Sequence, residues 1–573
     1  MSEARLSRDA KRQLGQYFTP QSTAAAIVGH LSLTATDVVL EPSFGGGSFV
    51  FAIAARMSDL LPRREFRAWR SAQLHGCEVD QAAYGSFAAE WGSRGWGPLP
   101  RHLERADFFT WMPAACERSA ASNRRHYYTS RLEQFDLVIG NPPFGASINP
   151  EIQDDLDAIF GFRDGMKIKK ESYAFFIVKA IDLLKPGGRL VFICSDTILT
   201  IATMTGLRNW IHNNCDVQVS TVPGSFDETN QDMILLTLTK ILRKPAAITV
   251  FGRSVPLAEI EATPNLSWRV DSSFAQYFTS ATVGDKMIAS SGMTIGNNEL
   301  FLRRIVDVQI AEPYEFSFVD EPITVEREYS RARLGKIAPA RLRELRKLES
   351  EGATEIVMRA EQRRAPIEVQ LPHADYCFYN KASSRILYAP PEWVIFWRDN
   401  GQYVYTFKKN GNWYLHGVGG KKYFQREGLT WALIAPRLYA RYLPAGYILD
   451  SGAPCAFLRE DVPHDEMFFI LGWALTDECN AILKNVLNHT RNIQSKDFER
   501  LPYPVWVNRS TRQRAIETVK RLVERAKAGE SLNFKNDAVR SLEQLYAWRE
   551  ASHARQDCGI IRPKHRPRQT ELF

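Results

Sequence analysis

The residues with the clearest chemical potential are Asn141-Pro142-Pro143-Phe144, which follow the apolar run Phe135-Asp136-Leu137-Val138-Ile139-Gly140. The run predicts a buried strand, and open α/β sheets bind their ligands beyond the carboxyl ends of strands. Two prolines hold the backbone extended and remove two N–H donors. The acceptors that remain are the Asn141 side-chain oxygen and the Pro142 carbonyl. Such a pair can orient an exocyclic amino group through both of its hydrogens, draw its lone pair out of conjugation and aim it at a methyl donor. The Phe144 ring can stack on the ring that carries the amine. Asn-Pro is also a common turn start, so the surroundings must decide.

A glycine-rich segment lies upstream, Glu41-Pro42-Ser43-Phe44-Gly45-Gly46-Gly47-Ser48-Phe49. Glycines at a strand-to-helix turn let a ligand approach the backbone. A phosphate loop would need Lys and then Ser or Thr after its last glycine, whereas Ser48-Phe49 follows Gly47. A dinucleotide site would leave the helix N-terminus open to a pyrophosphate, which Glu41 would repel. The same carboxylate suits a cationic methionine group, so Glu41 tips the balance toward a sulfonium cofactor, with Pro42 and Gly45 of the same loop expected at its site. Gly76-Cys77-Glu78-Val79-Asp80 ends the next expected strand; Glu78 is placed to bind two ribose hydroxyls, with Val79 beside it, while Asp80 suits a helix N-cap. In Ala106-Asp107-Phe108-Phe109, Asp107 could accept from an adenine amino group and Phe108 could cover its face.

The elements that would position these residues alternate in type. Strands are expected at Val38 to Leu40, Gln73 to Val79, Leu137 to Ile139, Arg189 to Ile193, Asp216 to Thr221 and Met233 to Lys240, with helices at Thr23 to Leu31, Phe49 to Arg56, Gln81 to Trp91, Tyr173 to Leu184 and Met204 to Asn213. Lys185-Pro186-Gly187-Gly188 makes a turn before a buried strand. This predicts a doubly wound, mostly parallel α/β sheet over residues 1–250. From about Thr249 the alternation becomes irregular, which predicts a separate α+β domain over 251–505. A helical segment with a basic tail follows over 506–573. Within the second domain, Ala340 to Arg364 reads as a charged helix or helix pair.

Composition narrows the classes. The chain has 573 residues, 45% of them hydrophobic, and a net charge of +8, enough apolar content for two cores and a mild suitability for a polyanion. Eight cysteines without a CxxC pair predict neither a disulfide framework nor a zinc site, hence a reduced cytoplasmic setting and no metal. No segment approaches the roughly 20 apolar residues of a membrane span.

Taken in order, these motifs resemble the gamma class of N6-adenine DNA methyltransferases of restriction-modification and phage-defence systems. Leu14-Gly15-Gln16-Tyr17-Phe18-Thr19-Pro20 is similar to that class's motif X, Glu41 to Gly47 to motif I, Glu78 to motif II, Asp107-Phe108 to motif III and Asn141 to Phe144 to motif IV. The resemblance covers nearly all of residues 11 to 240. It departs at Ser43-Phe44, where relatives often carry Ala or Cys after the proline. It implies a class I S-adenosylmethionine-dependent fold with S-adenosyl-L-methionine as cofactor, held additionally by Tyr17, Thr19 and Pro20. It also implies a target adenine rotated out of duplex DNA between Phe144 and a second ring, Phe226 in Gly224-Ser225-Phe226-Asp227. Partners allowed by it are a separately encoded endonuclease or defence subunit.

The tetrapeptide also serves RNA and protein methylators, so the second half must choose the polymer. It carries Trp393, Trp397, Trp413 and Tyr414 among Lys408, Lys409, Lys421, Lys422 and Arg426, a mixture suited to a nucleic-acid groove. Gln425 to Trp431 and Leu487-Asn488-His489-Thr490-Arg491-Asn492-Ile493-Gln494 are similar to the recognition half of adenine methylases. DNA is therefore expected, with an RNA amine methyltransferase or a non-catalytic DNA-binding subunit as the alternatives. With motif X beginning by Leu14, no fused nuclease is expected upstream. Pro454-Cys455-Ala456 lacks the Gln of a C5-cytosine site.

Overall fold

The structure, a computed structural model, describes residues 19–111, 134–143, 148, 150–223, 233–278, 281–305, 314–324, 355–366, 376–406, 408–409, 412–413 and 418–548. Its first half is built on one nine-stranded sheet: β1 Val39–Glu41, β2 Leu74–Glu78, β3 Leu103–Arg105, β4 Phe135–Gly140, β5 Leu184–Ser195, β6 Cys215–Thr221, β7 Met233–Lys240, β8 Ala247–Val250 and β9 Arg253–Pro256. The spatial order is β9-β8-β6-β7-β5-β4-β1-β2-β3. β1 pairs in parallel with β2 and β4, and β4 with β5. β7 is antiparallel to both of its neighbours.

Period-two alternation explains why the central strands are apolar on both faces. Leu137, Ile139, Val191 and Ile193 face one core with α1 Gln21–Gly29, α2 Ser48–Leu60 and α3 Arg63–Ala72. Val138, Leu190, Phe192 and Cys194 face the other, with α4 Ser172–Leu183 and α5 Thr205–Asn214. The expected strands and helices of this half are present to within a few residues. Short or polar elements escaped the sequence pattern: β3, α3, the helix Pro150–Phe160, and β8 and β9 at the sheet edge. The sheet and its core also run past residue 250, through Val255, Ile260, Trp268 and Val270.

The second half contains two four-stranded sheets, one joining Met287–Ser290, Cys455–Leu458, Gly428–Thr430 and Arg441–Leu443, the other Leu302–Arg304, Trp393–Phe396, Tyr376–Asn380 and Tyr447–Leu449. A helical core around Asp465–Leu475 and Arg509–Lys527 adjoins the first. The charged helix expected over 340–364 is corrected: Glu355–Pro366 is a strand, antiparallel to Tyr314–Thr324 over its whole length. Arg, Glu and Leu favour helix locally, but pairing along eleven residues of a partner strand overrides so weak a preference. Residues 340–354 lie outside the described residues.

Gly47, the N-cap of α2, sits at φ +84, and a Cβ there would overlap the Phe87 ring. We therefore predict that Gly47→Ala lowers stability by roughly 2 kcal/mol or more, from left-handed strain plus overpacking. Thermal unfolding checks this, and a variant that melts with the wild type would refute the packing.

Candidate active site

The carboxyl ends of β1, β2 and β4 converge at one edge of the sheet. Glu41 closes β1 and is only 3% exposed. Its Oε2 accepts from Val50 N in the first turn of α2 at 2.8 Å, so the acid fastens both ends of the glycine loop. At the next strand end Glu78 is 5% exposed. Its two oxygens accept from Gly45 N and Asp80 N, each at 2.7 Å, which leaves each oxygen a second lone pair. Asp80 caps the following helix through Ala83 N, the role its sequence suggests. The Phe44 ring lies beneath the loop against Phe87, with centroids 4.6 Å apart, and beside Gly76. The unusual Phe44 thus fills core space under the glycines.

Burial, more than any other influence, raises the pKa of both acids, and Glu78 adds repulsion at Glu41. Neither has an ion-pair partner among the described residues. Two buried carboxyl groups so placed, on neighbouring strand ends, make a site whose charge is uncompensated when they ionise. It fits a cofactor that brings a positive charge and ribose hydroxyls. Pro42 and Gly45 belong to the same loop, and Val79 is 58% exposed beside Glu78.

β4 delivers Asn141 next to this pocket. Asn141 Nδ2 donates to Thr19 Oγ1 at 3.3 Å, which fixes the amide orientation, and Ser43 Oγ donates to the Asn141 carbonyl at 3.4 Å. Ser172, at the start of α4, donates to the Pro143 carbonyl at 3.1 Å. Pro142 is buried and Pro143 half-buried. Thr19 is itself held by Ser48 Oγ, 2.7 Å from its carbonyl, and Pro20 leads into α1. The described end of the motif X segment therefore touches both the glycine loop and Asn141. Tyr17, Phe144 and Phe226 lie outside the described residues.

Asp107 accepts from Phe109 N at 2.9 Å and shapes the turn after β3. The ring expected to cover an adenine is turned the other way: Phe108 is 2% exposed and packs on Phe176 at 4.8 Å. The cause is Lys179, buried in α4, whose ammonium donates to the carbonyls of Phe108, Phe109 and Trp111 and lies 4.7 Å from the Phe108 centroid. Thr19 is among the residues that the motif X resemblance puts at the site, whereas no local spacing announces Lys179 or Ser172; all three act across a long stretch of chain.

The second half reaches the same edge. His489 bonds Thr200 Oγ1 through Nδ1 and Asp196 Oδ2 through Nε2, both at 2.7 Å, just beyond the end of β5. Leu483–Leu487 is a turn of π-helix, whose Val486 and Leu487 carbonyls accept from Asn265 Nδ2 at 3.2 Å. Asn265 and the fully buried Arg208 complete the seam, since Arg208 donates to the carbonyls of Ile198, Ile201 and Asn265. Of the expected groove aromatics, Trp397 is core, packed on Tyr405 and Phe424. Trp393 is half-buried between Arg304 and Lys381, 5.1 and 5.2 Å from its ring.

A carboxyl whose pKa is raised in the fold penalises the folded state as pH climbs from its ordinary 4.5 towards the raised value. Glu41→Gln keeps an acceptor for Val50 and removes that penalty. In the protein without cofactor, the variant should melt at or above the wild type at neutral pH, and the difference should shrink as pH falls towards 4.5. Melting scans across that range check it; a difference that widens on acidification would contradict the assignment.

Residues 102–222, which span β3, β4, β5 and β6, match the family described as Eco57I restriction-modification methylase. The chain is 31% identical over 172 residues to Type II methyltransferase M.PaeR7I of Pseudomonas aeruginosa, covering 28% of this chain and 27% of that one. It is 24% identical over 229 residues to the adenine-specific methyltransferase PglX of Lacticaseibacillus casei, covering 39% and 15%. The matched part thus spans about a quarter or less of these relatives' length. Among solved structures, the Type IIL restriction-modification enzyme MmeI in complex with DNA aligns over 94% of this chain and 77% of its own, with a TM-score of 0.54 at 10% identity. The DrdV–DNA complex aligns over 90% and 57%, with a TM-score of 0.53 at 12% identity. At such identities the structures speak for the fold alone, which here extends through both halves. No helix among the described residues is long and apolar enough to cross a membrane. Residues 102–222 therefore carry the signature of the Eco57I restriction-modification methylases, and the chain is related to methyltransferases of the restriction-modification type.

Proposed function

We propose that the protein transfers a methyl group from S-adenosyl-L-methionine to the N6 amino group of an adenine turned out of duplex DNA, as the modification enzyme of a restriction-modification or related defence system. The observation that carries this reading is Asn141, held by Thr19 at the end of β4, beside a pocket lined by the buried acids Glu41 and Glu78. The cofactor supplies an electrophilic methyl group. Glu78, with Val79 beside it, holds the ribose hydroxyls through its remaining lone pairs. The Glu41 carboxylate attracts the cationic end, directly or through water, while Pro42, Gly45, Thr19, Pro20 and Tyr17 shape the pocket. Asp107 accepts from the cofactor's adenine, with Phe108 packed behind it in the core.

On the substrate side, the Asn141 side-chain oxygen and the Pro142 carbonyl accept the two amino hydrogens, and Pro143 keeps the turn rigid. Pyramidalising the nitrogen exposes its lone pair for direct, in-line displacement without a covalent enzyme adduct: the N–C bond forms as the methyl–sulfur bond breaks, a neutral thioether leaves, and the surplus amine proton passes to solvent. Phe144 and Phe226 sandwich the extruded base, whose N6 is unreachable inside the stack. DNA as the polymer is supported by the extent of the second half and by Trp393 set between two cations. A separately encoded endonuclease would complete the system, in the cytoplasm where genomic DNA is accessible.

Purified protein given tritiated S-adenosyl-L-methionine should label duplex DNA, with N6-methyladenine recovered on nucleoside digestion. Label appearing in RNA or protein instead would overturn the reading. Asn141→Ala should lower turnover by about 10²-fold or more, the scale for losing a positioned transition-state contact, with cofactor binding retained; full activity in that variant would refute the mechanism. Glu78→Ala should weaken cofactor binding by about tenfold or more, since hydrogen bonds to a charged group contribute roughly 1.5–3 kcal/mol. Calorimetric titration giving an unchanged Kd would refute the ribose assignment.

A further inference from the structure

Ile434 is 70% exposed, in the turn that follows Gly428–Thr430. A single exposed aliphatic residue is ordinary on a protein surface, but this one is held in place from both sides. It forms a β-bridge with Asn492. Ala435 N donates to Arg491 O at 2.7 Å, Ile493 N to Leu433 O at 2.6 Å, and Leu433 N to Gly452 O at 2.9 Å. Lys484 ties the two segments together, donating to Thr490 O at 2.6 Å and Ala435 O at 3.3 Å. Behind them Trp431 donates to Ile493 O at 3.1 Å and stacks on Phe498. Asn488 holds the turn through Thr490, Asn492 and Asp497. The result is a rigid apolar tip flanked by the exposed Arg491 and Asn492.

Its location is equally specific. His489, three residues before Asn492, binds Asp196 and Thr200 beyond the end of β5. β5 lies beside β4, the strand that presents Asn141. The tip is therefore carried by the segment of the second half that is fastened to the edge where the amine is methylated. One aliphatic side chain among cationic and amide groups is too small for a protein interface, which needs roughly 800 Å² per partner. It suits a groove of DNA, where apolar side chains enter base steps while neighbouring cations meet phosphates.

We propose that Ile434 is a wedge that enters the duplex beside the target adenine and fills the space that base vacates, an inference that rests on the DNA-methylation reading above. Turning the base out breaks stacking and pairing, at a cost of a few kcal/mol. A preformed apolar tip offsets part of that cost by restacking the neighbours. Being fixed through His489 to the catalytic edge, it acts at one distance from Asn141.

The test compares wild type, Ile434→Ala and Ile434→Leu on a duplex carrying the site first located by sequencing the genome of a host that expresses the protein. A second duplex places the target adenine opposite an abasic position, so that little pairing must be broken. On the paired duplex Ile434→Ala should methylate about tenfold more slowly, corresponding to ~1.4 kcal/mol, and Ile434→Leu should retain most of the rate. On the abasic duplex the alanine variant should come within about twofold of wild type. With 2-aminopurine at the target, the fluorescence rise on binding should be present for wild type and diminished for Ile434→Ala. Equal rates for wild type and Ile434→Ala on the paired duplex, or the same loss on both duplexes, would overturn the wedge while leaving the methylation reading intact. A wild-type protein that methylates no DNA would overturn both.

Discussion

The buried carboxylate of Glu41 is the constraint on which the rest of the site depends. It ends the central strand β1, caps the first turn of α2 through Val50, and lies with its Cγ 3.6 Å from the place a Cβ on Gly140 would take. One side chain thereby fixes the glycine loop, the helix that follows it and the approach of β4. Burying such a group without a cation is unfavourable, and folding tolerates it because the surrounding sheet is apolar on both faces. The cost is concentrated where a positively charged ligand would offset it. The second acid, Glu78, repeats the arrangement one strand away, with two backbone amides in place of one.

The first half was legible because its signals are local. Apolar runs such as Phe135–Gly140 carry their structure in adjacent residues, and β7 lies at its expected limits, whereas Lys185 to Gly188, expected as a turn, falls inside β5, which begins at Leu184 and pairs irregularly with β4 there. The candidate site was legible where a chemical type recurs at a strand end, as at Glu41, Glu78 and Asn141. It was illegible where a role is set by distant partners. Phe108 reads as a ring facing a ligand, yet the Lys179 ammonium, 71 residues along the chain, draws the loop so that the ring enters the core. Thr19 lies 122 residues from the Asn141 amide it meets. In the second half, 355–366 has helical composition and strand pairing, because the decisive information sits in another segment.

Several cationic side chains that brace the loops of the first half are buried and satisfied by main-chain carbonyls rather than by acids. Arg208 has no exposed surface, burial draws its pKa down to about 9, and its guanidinium is spent on the carbonyls of Ile198, Ile201 and Asn265. Lys179 serves the turn after β3 in the same manner. Cations used this way are directional struts: carbonyls are fixed by the backbone, so the loops they brace cannot drift without leaving a buried charge unsatisfied. The edge of the sheet is consequently stiff on the side where the second half meets it.

The π-helical turn Leu483–Leu487 has a consequence for how such chains diversify. A π turn holds one residue more than an α turn of the same span, and here it sets the phase in which the last-turn carbonyls of Val486 and Leu487, open at any helix end, meet Asn265. Deleting one residue would restore ordinary helical phase, rotate everything after it by about 100° per residue of helix and carry His489 away from Asp196. The two halves are therefore keyed to each other partly by a count of residues, through Asn265 and His489. A chimera that exchanges part of the second half would keep these contacts if the junctions spare the stretch from Leu483 to Ile493 together with Asn265. The same exchange cut inside that stretch would uncouple the second half from the end of β5 even with every contacting side chain retained.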